Sequence, residues 1–118
     1  MKQPKPTDAV AEFERRLKET RAERYELRLY VAGTTPRSTR AVRNLTRICE
    51  AEIPGRYHLE IIDVYQQPVR AAEDQIVAVP TLLKMVPLPR RKLIGDLSQE
   101  AQVRRGLGFP DSSTGEQD

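Results

Sequence analysis

The 118-residue sequence is poor in the side chains that carry the common protein chemistries. It has one cysteine, Cys49, so neither an internal disulfide nor a Cys-x-x-Cys pair can form. Its single histidine, His58, leaves a zinc site short of ordinary ligands and any Ser-His-Asp or Cys-His group without a supporting motif. There is no tryptophan, and aromatics make up 5% of the chain, too few for the stacking platforms of a single-strand groove. No apolar run approaches the ~20 residues that span a bilayer, and the N-terminus lacks the apolar stretch of a signal peptide. The expectation is a cytoplasmic, non-enzymatic chain with no cofactor, no metal, no nucleic acid and no membrane contact.

What is present is a small domain. A chain of this length forms one domain with short tails and has little surplus for a deep cleft. The net charge of +3 arises from interspersed signs, which reads as a solvated surface. Residues 1–24 form a charged leader in which Thr7–Arg24 reads as a helix, with Val10, Phe13 and Leu17 on a narrow stripe. From Tyr25, Leu27, Leu29 and Val31 alternate with Glu26, Arg28 and Tyr30, the period of a strand.

Gly33 ends that strand, and Thr35-Pro36 opens a helix that presents Ala41, Leu45, Ile48 and Glu52 on one face and stops before Pro54-Gly55. A second strand is predicted over Tyr57–Tyr65, and a short helix from Gln67-Pro68 with Val69, Ala72 and Ile76 on one face. Val79-Pro80 precedes a third strand, TLLKMV, and the turn PLPRR leads to a fourth, KLIG. Ser98 is positioned to cap a last helix that Gly106 or Gly108 ends, and 110–118 is a polar tail expected to be disordered. The order is β-α-β-α-β-β-α, an α/β fold with a mixed four-stranded sheet in a domain of residues 25–109.

That order, with a proline just before the third strand, resembles the thioredoxin-like fold. At the place of its redox site stands Gly33-Thr34-Thr35-Pro36, whose hydroxyls cannot exchange disulfides. Thr35 reads as a cap, Cys49 as a buried inert thiol, Glu73-Asp74 as solvated carboxylates, and Asp63 as a satisfied group near a strand end. No G-x-x-x-x-G-K loop is present. Arg90-Arg91-Lys92 forms a compact basic turn, suited to an acidic partner or to solvent.

The segments LRLYVAGTTPRSTRAVRNL, LEIIDVYQQPVRAAEDQIVAVPTLLKMVPLPRRKLIGDLS and VRRGLG, in that order, resemble the KaiB family over residues 25–109. The resemblance implies a binding module that docks on the N-terminal ATPase ring of a KaiC-like ATPase and serves circadian timing or a stress response. It also implies a homo-oligomer, dimer or tetramer, in the free state, and a metamorphic C-terminal half with an alternative KaiB ground-state fold. Partner contacts would fall on Pro68, Val69, Ala72, Glu73, Gln75, Arg91 and Lys92, and control of the fold balance on Pro80, Gly106 and Gly108. The sequence departs from cyanobacterial members at Gly108, where they carry aspartate, and at His58 and Glu60, the latter replacing a basic residue. A reversed charge at that place weighs against KaiA as a partner. Two alternatives remain: a sensor or interaction domain acting with a histidine kinase, although the chain ends too soon to include one, and a thioredoxin-like redox protein, disfavoured for want of a Cys-x-x-Cys pair.

Overall fold

The structure, a computed structural model, describes residues 9–13 and 24–109. Its elements are β1 (Tyr25–Val31), α1 (Pro36–Glu52), β2 (Tyr57–Asp63), α2 (Pro68–Glu73), β3 (Thr81–Val86), β4 (Arg91–Ile94) and α3 (Glu100–Leu107). The four strands form one sheet in the order β2-β1-β3-β4. β1 runs parallel to β2 and antiparallel to β3, and β3 and β4 make an antiparallel hairpin. This is the mixed α/β sheet expected from the sequence.

The position of β1 explains its side chains. It lies between two strands and is covered on both faces, so its alternation separates two cores instead of separating core from solvent. Leu27 and Leu29 enter the larger core with Ala41, Leu45, Ile48 and Cys49 of α1, Leu82 of β3, and Val103 and Leu107 of α3. Tyr30, which alternates with those leucines, is fully buried on the other face with Ile62, Ala71 and Leu83.

Several boundaries differ from the sequence reading. β2 stops at Asp63, because the Asp63 side chain accepts a hydrogen bond from the Tyr65 N–H at 2.9 Å and turns the chain. β4 begins one residue early, at Arg91. Ser98 does not cap α3. Its N–H is held by Asp96 Oδ1 at 3.1 Å, and the N-cap is Gln99, which makes no side-chain capping bond. Of the leader helix, residues 9–13 are helical with Val10 and Phe13 exposed. The remainder of that reading, like the tail 110–118, lies outside the described residues.

The two C-terminal glycines have different roles. Gly108 closes α3 in the left-handed region at φ 84°, with the Phe109 N–H returning to the Arg104 carbonyl at 2.8 Å. Gly106 lies inside α3, and a Cβ there would sit 2.8 Å from the Leu93 side chain. It lets the helix approach β4 closely. Pro80 is fully buried and joined to Val79 by a cis peptide bond; Val86-Pro87 and Leu88-Pro89 are also cis. Among the described residues, no helix is long and apolar enough to cross a membrane.

Candidate partner-docking site

The turn after β1, where a thioredoxin keeps its thiols, is held together by hydroxyls. The buried Ser38 Oγ accepts from the Ala32 N–H at 3.0 Å and from the Thr35 hydroxyl at 2.9 Å. Thr35 Oγ1 in turn accepts from the Ser38 N–H at 3.3 Å and caps α1, with Pro36 in its first turn. Thr35 is thus committed to structure. Cys49 is buried inside the α1 core, where burial and then Glu50 push its thiol up to about 12. Among the described residues, no group of His, Cys, Asp and Glu is placed to hold a metal.

The site with distinctive geometry lies on the opposite face, around α2. Its inner side buries Ala71, while Val69 is 68% exposed and Pro68, Ala72, Glu73 and Gln75 also face solvent. The expected face of Val69, Ala72 and Ile76 is therefore corrected. Six residues make a single helical turn and a half, too short for helical spacing to identify one covered stripe. The burial of Ala71 puts Val69 and Ala72 outside, and Ile76 packs from beyond the helix end.

Beneath α2 runs a polar network. Asp74 accepts from the Tyr30 hydroxyl at 2.6 Å and from Arg28 at 3.0 Å. Arg70 and Glu60 form a two-pronged ion pair, with one contact at 2.9 Å. Burial works against the Asp74 carboxylate, but the bonds from Tyr30 and Arg28 outweigh it and hold its pKa below the ordinary value. Arg70 lowers that of Glu60. Tyr30 is pushed up to about 12, first by burial and then by Asp74. Asp74 is thus an anchor, and the reading of Glu73-Asp74 as two solvated carboxylates holds only for Glu73.

The sequence reading missed Arg28, Tyr30, Glu60, Arg70 and Asp74 as a set. Arg28 and Tyr30 share a strand face, and register sets Arg28 opposite Glu60, which is the signal that was available.

The basic strand β4 meets the end of α2. Lys92 Nζ donates to the Gln75 carbonyl at 3.0 Å, and Gln75 adopts a left-handed φ of 56° that a side chain rarely takes. Between the two elements lies a cavity of about 300 Å³, lined in part by Glu73, Asp74, Gln75, Met85, Arg90 and Lys92. All seven expected contact residues are exposed: Pro68, Val69, Ala72, Glu73 and Gln75 lie on and beside α2 and Lys92 joins them through Gln75, whereas Arg91 pairs with Lys84 and projects from the other face of β4. Exposed Tyr65, Val69 and Val77 add apolar area around α2. The arrangement suits recognition of a surface carrying both apolar and charged groups.

The KaiB domain family matches residues 28–109 of the chain. The circadian clock oscillator protein KaiB of Acaryochloris marina is 54% identical over 83 residues, which cover 70% of this chain and 80% of that protein.

The chain belongs to the KaiB family.

The KaiB of Thermostichus vulcanus is 48% identical over 93 residues, 79% of this chain and 86% of that one. Among solved structures, the N-terminal domain of Synechococcus elongatus SasA is similar with a TM-score of 0.61 and 29% identity, over 73% of this chain and 85% of that domain. Mitochondrial thioredoxin 3 of Saccharomyces cerevisiae, at 19% identity and a TM-score of 0.59 over 84% of this chain and 88% of that one, shares the fold. As a KaiB-family member with a thioredoxin-like fold, the chain is a non-catalytic protein.

Proposed function

We propose that this protein is a clock-type binding module that docks the outer face of α2 and the basic strand β4 on the N-terminal ATPase ring of a KaiC-like ATPase. The observation that carries this reading is the joining of those two surfaces by the Lys92–Gln75 hydrogen bond into one exposed, mixed apolar and charged face. Kinship with circadian clock oscillator proteins supports a role in circadian timing or a related stress response. KaiA is left out as a partner, because Glu60, which reverses the charge at that place, is already engaged with Arg70. The protein works in the cytoplasm and is a dimer or tetramer when free. Its second half, with Pro80, Gly106 and Gly108, exchanges with a KaiB ground-state fold differing by a few kcal/mol.

The test is size-exclusion co-elution with the organism's own KaiC-like ATPase in ATP or ADP, using wild type and Val69→Asp/Lys92→Glu. Slow, nucleotide-dependent co-elution lost in the variant is the expected result. No co-elution of the folded wild type after hours of incubation overturns the reading. A second reading, an interaction domain that acts with a histidine kinase, draws on the likeness to the SasA N-terminal domain. Co-elution with a kinase and not with the ATPase would favour it.

A further inference from the structure

The sheet ends at β4, which among the described residues pairs with β3 alone. The Gly95 N–H donates to the Pro80 carbonyl at 2.9 Å, and that bond sets the alternation along the hairpin. Arg91 and Leu93 turn their backbone groups inward, to Lys84 and Leu82, whereas Lys92 and Ile94 turn theirs away from the sheet. No described residue meets the outward N–H and C=O groups of Lys92 and Ile94. β4 therefore presents an open edge, the surface on which a further strand can pair.

Both sides of that edge are hollow. On the α2 side lies the cavity of about 300 Å³, beside Leu83, Met85 and Lys92. On the α3 side a second cavity, of about 480 Å³, is lined by Leu93, Leu97 and Val103, with Arg37, Gln99 and Gln102 also in its wall. A strand laid along β4 sends alternate side chains to the two sides. In strand addition, free backbone groups supply affinity and pockets for alternate side chains supply specificity.

Charge selects the strand. Arg37, Arg90 and Arg91 make no ion pair with any described residue, and Lys92 bonds a neutral carbonyl. Of the carboxylates lining the two cavities, Asp74 is held by Arg28 and Asp96 by Arg40, which leaves Glu73. So basic an edge repels a second copy of itself and attracts an acidic chain.

We propose that β4 accepts an extended segment of another protein as an added edge strand, one that alternates acidic and apolar residues. Its backbone pairs with Lys92 and Ile94. Its carboxylates face Arg90 and Lys92 in the α2-side cavity, and its apolar side chains enter the cavity lined by Leu93, Leu97 and Val103. This goes beyond the docking function proposed above, because the edge is open whichever partner covers the outer face of α2.

The probe is a short peptide of alternating glutamate and valine, capped at both ends and titrated by NMR into the isotope-labelled full chain. The Lys92 and Ile94 amides are expected to shift and to gain protection against hydrogen exchange. N-methylation of one alternate set of peptide residues removes the N–H groups that face β4 and is expected to weaken binding roughly tenfold or more, whereas methylation of the other set leaves binding in place. Ile94→Pro removes an outward N–H that β3 does not use, so the sheet is retained and binding is expected to weaken. No response at β4, or equal affinity for both N-methylated peptides, overturns strand addition. Equal affinity for a lysine-valine peptide overturns the acidic partner, and β4 shifts that grow with protein concentration alone assign the edge to a second copy instead. A wild type that co-elutes with the ATPase while β4 ignores the peptide overturns the edge and leaves the docking function standing.

Discussion

Single residues decide much of this molecule's chemistry. Cys49 is the one thiol, and burial makes it a poor nucleophile. A disulfide-exchange reagent at pH 8 is expected to leave it unmodified in the folded chain and to label it fully in denaturant; rapid labelling of folded protein would contradict its placement. Gly108 has the backbone freedom that closing α3 requires. Gly108→Ala is expected to cost about 1–2 kcal/mol, read as a lower urea midpoint with unchanged slope. Thr35 and Cys49 were legible in the sequence because a Thr-Pro helix start and a cysteine among apolar neighbours each have one simple reading. Tyr30 was not. Alternation on a strand shows which residues share a face, but it does not show whether the second face is covered, and here α2 covers it.

Elements meet through contacts that local pattern reveals unevenly. The strands and α1 follow from runs long enough to show a period, and β3 begins and ends at the expected residues. The face of α2 and the start of α3 do not, because six- and eight-residue helices are oriented by what they pack against. For α2 the anchors are Asp74 and Glu60, both with lowered carboxyl pKa values. A carboxyl whose pKa is lower when folded than unfolded contributes stability that is full above the unfolded value and is lost as pH falls through the folded one. The anchoring of α2 is therefore expected to be intact at neutral pH and to weaken below the ordinary carboxylate range, about pH 4. Protection of the Ala71 and Ile76 amides against hydrogen exchange, corrected for the intrinsic rate at each pH, should report it, falling on acidification more in wild type than in Asp74→Asn.

The contact of α3 with β4 gives a different prediction. Gly106→Ala gains roughly 1 kcal/mol of helix propensity but crowds Leu93, so its net effect is expected to be small or unfavourable. In a Leu93→Ala background the same change is expected to be stabilising, with a coupling of about 1 kcal/mol in a double-mutant cycle. Zero coupling would mean that the two side chains do not compete for space.

At the scale of the whole molecule, a redox scaffold is present without redox chemistry. The Gly33-Thr34-Thr35-Pro36 turn keeps the geometry of a helix start and uses its hydroxyls to brace it. Insulin reduction with dithiothreitol is expected to proceed at the rate of the blank, and any turnover would reopen the enzyme reading. The proposed docking face is half visible in the sequence: its residues follow from the family resemblance, whereas the Lys92–Gln75 bond and the network under α2 link residues far apart in the chain.

Those long-range links also bear on the order in which the protein is made. Arg28–Asp74, Arg40–Asp96, Arg47–Glu100, Glu52–Arg104 and Glu60–Arg70 each join a residue before Val64 to one after Gln67. A ribosome that has released only the first strand-helix-strand unit has exposed one half of every pair. The nascent chain carries those charges in water, with the α1 face still lacking Val103 and Leu107, until the C-terminal segment emerges. The second half of translation thus completes the first half of the structure.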